Sequence, residues 1–143
     1  MRIIKNKTLY SPTDLNNFVS CKYHIKNDLL ADEKKFKKRE ISADLKLRIK
    51  YGIEHETKHF KLFKNKNNPS VTINDKLTDE KRFEATKQAL TKGYKLIYKA
   101  YFIEKNFRGE ADFLLRVNTK SDLGNYSYEV YDTKITKNLR PKH

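Results

Sequence analysis

The chain has 143 residues, of which 37% are hydrophobic and 35% charged, so we expect one domain, residues 1–143, with a small core rich in its nine tyrosines and eight phenylalanines. Its 32 Lys and Arg against 18 Asp and Glu give a net charge of +14, which favours nucleic acid as the partner unless the bias is purely compositional. The single cysteine, Cys21, excludes an intrachain disulfide, and without a signal peptide or membrane span in the sequence we expect a cytoplasmic protein and no membrane partner.

The first predicted helix begins after Ser11. Ser11 is a good N-cap, Pro12 suits the first helical position, and Asp14 complements the positive end of the helix. The helix is expected to end near Cys21, which we interpret as a packed thiol. The charged run EKKFKKRE at 33–40 is typical of a solvated helix face or loop, with a phosphate contact as the alternative.

A long helix is predicted from Ser42. Apolar residues recur along it at helical spacing. An acid, Glu56, lies on the same stripe and therefore needs a partner, a metal or a position at the edge of the stripe. The apolar residues are Leu45, Ile49, Ile53, Phe60 and Phe63.

The second half of the chain alternates turn signals with β-like segments. Residues 65–75 are polar and predict a loop, and Thr78 begins a helix that reaches about Thr91, before the helix stop Gly93. Strands are predicted at 95–103, from Arg108 onward and at 126–134, with turns at 104–106 and 121–125. These elements predict an α/β fold in which a long helix accompanies a small mixed β-sheet led by an antiparallel hairpin.

Two acids and a lysine in the last two predicted strands suggest a function. Side chains two apart in a strand share a face, so Asp132 and Lys134 are expected to lie together. If the strands pair with Asp112 beside Asp132, two carboxylates and an ammonium converge. The carboxylates would repel one another unless a divalent cation joined them, and oxygen ligands suit Mg²⁺ or Mn²⁺. We therefore expect a metal-dependent phosphodiesterase, in which Lys134 positions or helps to deprotonate a water, or stabilises phosphate charge.

Gly109-x-x-Asp112 on one strand, followed by Asp132-x-Lys134 on the next, resembles the RecB-type branch of the PD-(D/E)XK nuclease superfamily. The resemblance implies a restriction-endonuclease-like core and Mg²⁺- or Mn²⁺-dependent hydrolysis of DNA. Asp112, Asp132 and a carbonyl near Thr133 would hold the metal. Lys134 would act with Asp132 in catalysis. In the family a further helix and strand follow this point, so the resemblance also implies that the C-terminal part of the core is missing.

The segment GIEHETKH on the long helix admits two interpretations. Gly52-x-x-His55-Glu56 resembles the first motif of RecB-type nucleases, which would make His55 the third metal ligand and Glu56 a catalytic neighbour. His55-Glu56-x-x-His59 also matches the zinc metalloprotease signature, with the two histidines as ligands and Glu56 as base. A distant glutamate such as Glu84 is available as a third zinc ligand, but nothing singles it out. Only the nuclease interpretation accounts for the strand acids, and plain surface histidines are the remaining alternative.

The resemblance also bears on partners and cofactors. DNA is the expected substrate, and Arg108 and Arg116 are candidate phosphate contacts, with ordinary surface arginines as the alternative. Relatives are often fused to helicase or ribonuclease-like domains, so such a domain or a partner chain is expected. Some relatives hold an iron–sulfur cluster through one early and three late cysteines, and because the late ones are missing here no cluster is expected. A truncated, inactive module that only binds nucleic acid is a further alternative.

Overall fold

The computed structural model describes residues 2–4, 7–32, 35 and 40–135. Within these ranges the fold is α/β, with four helices, a two-stranded sheet and a four-stranded mixed sheet. In this part of the chain, no helix has both the length and the apolar character needed to cross a membrane. The elements are β1 (Arg2–Ile4), β2 (Lys7–Leu9), α1 (Pro12–Ser20), α2 (Tyr23–Asp32), α3 (Ala43–Lys66), β3 (Ser70–Thr72), α4 (Asp79–Thr91), β4 (Leu96–Glu104), β5 (Phe107–Val117) and β6 (Ser127–Tyr131).

The chain divides into two compact units. The first comprises Met1–Glu40 and Tyr101–Glu110, and the second comprises Ile41–Ala100 and Ala111–His143. Of the predicted site residues, Arg108 belongs to the first unit and all the others to the second. The expectation of one domain over residues 1–143 stays a prediction.

In the first unit, α1 begins where the sequence predicts. The Asp14 carboxylate accepts a hydrogen bond from the Ser11 backbone at 2.7 Å, and the Ser11 hydroxyl oxygen accepts one from the Asp14 backbone at 3.3 Å. This capping box satisfies free backbone donors of the first turn. Cys21 is exposed, so the prediction of a packed thiol is wrong, because the residue stands at the helix end in extended backbone.

Two further features of the first unit differ from the sequence predictions or lie beyond them. Helix α2 was not predicted, because no N-cap residue or apolar stripe marks it in the sequence. Strands β1 and β2 pair antiparallel and were also not predicted. Of the charged run at 33–40, only residues 35 and 40 lie within the described part of the chain.

In the second unit, the sheet has the strand order β3-β4-β5-β6. Strand β3 is parallel to β4, with Val71 opposite Ile97, and β5 is antiparallel to β6, with Leu114 opposite Val130. A two-residue turn joins β4 to β5, which confirms the predicted hairpin and the mixed sheet. Strand β3 lies within the predicted loop at 65–75, which corrects that prediction, since three residues are too few to show a strand pattern.

One face of this sheet packs against α4. Ala89 of the helix lies in a buried cluster with Ile97 of β4 and Leu114 of β5. The helix begins at the predicted N-cap, where the Thr78 hydroxyl accepts a hydrogen bond from the Lys81 backbone at 3.4 Å. Burial of this apolar cluster is the main stabilising contribution on this face, at about 25 cal/mol per Å² of apolar surface.

The last turn of α4 is bound to strands β5 and β6 by side chains. The Tyr126 hydroxyl donates to the Leu90 carbonyl at 2.9 Å, and the Tyr128 hydroxyl donates to the Tyr94 carbonyl at 2.8 Å. Arg116 donates to the Gly93 carbonyl at 3.0 Å and covers the Tyr126 ring at 4.3 Å. Carbonyls at and just beyond the helix end, which have no partner within the helix, are thus satisfied by the sheet.

The opposite face of the sheet packs against the C-terminal part of α3. Phe60 stacks on Tyr98 with ring centroids 4.2 Å apart, and Phe63 meets Phe113 edge-on at 5.0 Å. Tyr98 and Phe113 each adjoin a residue of the α4 cluster in sequence, as strand alternation requires. The predicted apolar stripe therefore packs only in part, since none of the residues of α3 is fully buried and Ile53 is 59% exposed.

Ile97→Ala should destabilise the protein by about 2–5 kcal/mol, because Ile97 is fully buried and its loss leaves a cavity between the sheet and α4. Ile53→Ala is the matched control and should change the free energy of unfolding by less than about 0.5 kcal/mol, since this isoleucine is largely exposed. Urea unfolding followed by circular dichroism measures both. Equal losses would contradict the assignment of the core to the α4 face.

Candidate functional site

Asp112 and Asp132 come together, which the hypothesis from the sequence assumed as a condition, although Asp132 is not in a strand. Strand β6 ends at Tyr131, and the predicted strand therefore ends three residues earlier than expected. Beyond β6 the backbone is hydrogen-bonded to a side chain, because the Thr133 amide donates to Asp112 Oδ2 at 3.4 Å. The two carboxyl groups lie close enough for each to shift the pKa of the other. Lys134 then pairs with Asp132, with Nζ 2.5 Å from Oδ2.

Lys99, which is not among the predicted site residues, connects a third carboxylate, that of Glu56, to Asp112. Lys99 Nζ lies 2.6 Å from Glu56 Oε1 and 3.8 Å from Asp112 Oδ1. The Glu56 side chain is only 14% exposed and the Lys99 side chain 25% exposed. These ion pairs are therefore screened less than surface pairs and matter more to the arrangement.

The backbone at Lys99 is unusual for a residue inside a strand. Its φ of +63° lies in the left-handed region, which costs a non-glycine residue about 1–3 kcal/mol. Ile97 and Ala100 both pack into the α4 cluster although they are three residues apart, so the strand alternation is interrupted between them. One extra residue at this point is what a β-bulge supplies, and bulges redirect side chains next to sites.

A signal for Lys99 was present in the sequence. It interrupts the apolar run 96–103, and an ammonium in such a strand needs a partner when it is buried. Its partners Glu56 and Asp112 are 43 and 13 residues away in the chain, respectively, and only the fold brings them together.

The carboxyl groups of the site differ in their affinity for protons. Burial, the hydrogen bond with Asp132 and the nearby charge of Glu56 raise the pKa of Asp112 to about 6. Burial also acts to raise the pKa of Asp132, but the hydrogen bond from Asp112 and the ion pair with Lys134 outweigh it and hold that pKa below its ordinary value. Burial and a hydrogen bond to Glu56 raise the pKa of Tyr98 to about 12. The pair Asp112–Asp132 thus favours a single shared proton at mildly acidic pH.

The two histidines of α3 lie next to each other. Their ring centroids are 4.6 Å apart, and His55 Nδ1 is buried without a hydrogen-bond partner among the described residues. Within the described ranges, no three His, Cys, Asp or Glu side chains form a group that could hold a metal ion. His55 is therefore not brought into one ligand group with Asp112 and Asp132, and a third zinc ligand for His55 and His59 is not present there either. The role of His55 stays a prediction.

The two predicted phosphate contacts have different surroundings. Arg108 is partly buried, and its Nε has no hydrogen-bond partner among the described residues. The Arg116 guanidinium is already engaged by the Gly93 carbonyl and the Tyr126 ring. Arg116 thus has a structural task whether or not it also contacts nucleic acid.

A cavity of about 490 Å³ adjoins Glu56 and Lys99. Tyr98 lines it, together with polar side chains that follow β3 and apolar side chains from α3 and the end of β3. The lining residues are Ile53, Glu56, Thr72, Ile73, Asn74, Asp75, Tyr98 and Lys99. A small ligand group has access to Glu56 and Lys99 from this side.

Comparison with models of known protein families, with curated proteins and with solved structures finds no match to this chain.

Asp112→Asn should stabilise the metal-free protein at about pH 7.5 and have a clearly smaller effect at about pH 4.5. Because the pKa of Asp112 rises from 3.8 to about 6 on folding, the stability from its proton is complete below about pH 4 and is lost as the pH rises through about 6. Asparagine avoids this loss, which is at most about 3 kcal/mol. Asp132, whose pKa is lowered, stays ionised over this window.

Urea unfolding in EDTA at the two pH values measures the effect. Asp122→Asn is the control, because Asp122 is an exposed acid in the turn before β6. A gain in stability for Asp112→Asn that is the same at both pH values would show that the Asp112 carboxyl does not titrate in this range.

Proposed function

We propose that this chain is a Mg²⁺- or Mn²⁺-dependent nuclease that hydrolyses phosphodiester bonds in DNA, built on a restriction-endonuclease-like core. The observation that carries the proposal is the contact between Asp112 and Asp132, with Lys134 paired to Asp132. Two acids that are 20 residues apart in the sequence, one on β5 and one just after β6, lie next to each other and to the Lys134 ammonium. The resemblance of the motif Asp132-x-Lys134 to RecB-type nucleases supports the same function.

The donor set suits a hard divalent cation. Mg²⁺ is usually held by one or two carboxylates, several waters and the substrate phosphate, so Asp112 and Asp132 are sufficient protein ligands. Their mutual hydrogen bond and the raised pKa of Asp112 reflect a crowding of negative charge that such a cation relieves. When bound, a cation of this kind polarises the phosphate and lowers the pKa of a coordinated water.

The residues of the chain act around that position. Asp112 and Asp132 would hold the divalent cation, and they do so when both carboxyl groups are ionised. Lys134 holds Asp132 by its ion pair and presents positive charge to the phosphate as charge develops on it. Glu56, held by its ion pair with Lys99, keeps a water or a backbone group in place.

Asp132→Asn and Lys134→Ala should each reduce Mn²⁺-dependent cleavage of DNA by about 100-fold or more, because each removes a charge that acts on the reacting phosphate. Linear and circular DNA, single- and double-stranded, incubated with Mg²⁺, Mn²⁺, Zn²⁺ or EDTA provide the assay. Melting temperatures close to that of the wild type should accompany both losses, since the two side chains are about half exposed.

Asp122→Asn and Lys120→Ala are the matched controls, one acid and one lysine from the exposed β5–β6 turn, and both should keep full activity. Cleavage that survives in Asp132→Asn and Lys134→Ala would refute the site. Binding without any cleavage in the wild type would favour the inactive nucleic-acid-binding module, and casein hydrolysis with Zn²⁺ would favour the metalloprotease.

DNA binding should weaken steeply with salt, because the net charge of +14 implies several phosphate contacts. A slope of about −4.5 in log affinity against log salt corresponds to about five phosphates. Arg108→Gln should reduce the slope by about 1 if Arg108 is one of the contacts. Fluorescence anisotropy with labelled DNA in EDTA measures this, and a flat salt dependence would show that the charge does not serve binding.

A further inference from the structure

Lys99 brings a positive charge to the position where the proposed function requires a metal. Its ammonium lies 2.6 Å from Glu56 Oε1 and 3.8 Å from Asp112 Oδ1. Asp112 is in turn bonded to Asp132, so one lysine neutralises part of the whole carboxylate group. In the described part of the chain, these contacts offset some of the repulsion among the neighbouring acids.

The backbone at Lys99 indicates that this arrangement is specific. Its φ of +63° is a conformation that glycine adopts freely and lysine does not. A strained residue whose side chain reaches the carboxylates of a candidate site is a stronger sign of function than a lysine on a regular strand, because strain persists where the surrounding structure enforces it.

We propose that Lys99 is a positioning residue that holds Glu56 and Asp112 in the metal-free protein and competes with a divalent cation for the Asp112 carboxylate. This inference rests on the proposed function, which supplies the cation. A cation on Asp112 lies within the unscreened range of the Lys99 charge, since the ammonium is 3.8 Å from that carboxylate and the Debye length is about 8 Å at physiological salt.

For Lys99 to release Asp112, its side chain needs space into which it can move. The cavity lined by Tyr98, Lys99 and Asn74 is about 490 Å³ and offers that room beside Glu56. As Mn²⁺ or Mg²⁺ binds Asp112, the ammonium retains Glu56 and moves away from Asp112 into this cavity. Lys99 thereby sets the metal concentration at which the site fills, without being a ligand itself.

The test is Mn²⁺ binding to the full chain without nucleic acid, measured by isothermal titration calorimetry with MnCl₂. Lys99→Met and Lys99→Gly should each bind Mn²⁺ about tenfold more tightly than the wild type, because both remove the competing charge. Lys99→Arg, which keeps the charge, should stay within about twofold of the wild type. Lys95→Met is the matched control, since Lys95 is exposed one residue before β4, and its affinity should not change.

Two variants without the ammonium separate charge from backbone strain. Glycine accepts φ +63° without strain and methionine does not. Lys99→Gly therefore still measures the effect of losing the ammonium on Mn²⁺ binding if Lys99→Met fails to fold. In EDTA, Lys99→Met should melt below the wild type, and saturating Mn²⁺ should raise its melting temperature by more than it raises that of the wild type.

The outcomes distinguish this inference from the proposed function. Wild-type affinity, or weaker binding, in both uncharged variants overturns the role of Lys99 and leaves the metal site intact. If neither the wild type nor any Lys99 variant binds Mn²⁺, the metal site itself is refuted and the inference with it. Tighter binding in both uncharged variants, absent in Lys99→Arg, supports the competition.

Discussion

Crowding of negative charge around a partly buried carboxyl group is the constraint on which the site depends. Asp112 has Asp132 on one side and Glu56 on the other, and water does not fully solvate it. A fold can retain such a group only with a proton, with cations of its own or with a bound metal. In the described part of this chain the ammonium groups of Lys99 and Lys134 supply such cations, and the raised pKa of Asp112 lets it take up a proton at mildly acidic pH.

The second unit supplies a stiff support for these charges. Aromatic rings from α3 and the sheet stack next to the acids, with Tyr98 placed between Phe60 and the carboxylate of Glu56. The same ring thus packs the helix onto the sheet and carries a hydroxyl whose pKa the Glu56 carboxylate helps to raise. A substitution at Phe60 would therefore also change the surroundings of the Glu56 carboxylate.

Local signals were enough to predict much of this arrangement. Helices α1, α3 and α4 start after Ser11, Ser42 and Thr78 as predicted, because an N-cap acts on backbone groups only a few residues away. Strands β5 and β6 pair in the register that the hypothesis for Asp112 and Asp132 assumed, since alternating side chains leave few alternatives for that register.

What the sequence did not predict depends on contacts across long separations. Strand β3 is defined by its parallel pairing with β4 rather than by its own residues. The role of Lys99 depends on an irregularity in β4 that no residue type announces, and its partner Glu56 was associated with the histidines instead. Strand β6 ends earlier than predicted for a similar reason, because the Thr133 amide donates a hydrogen bond to the Asp112 side chain.

Hydrogen bonds connect the end of α4 to the segment that leads into the site, although α4 itself contributes no residue to the site. Tyr126, just before β6, and Tyr128 within it donate hydrogen bonds to the Leu90 and Tyr94 carbonyls, and Asp132 directly follows the last residue of β6. The position of Asp132 therefore depends on α4 through two tyrosine hydroxyls as well as on the pairing of the strands.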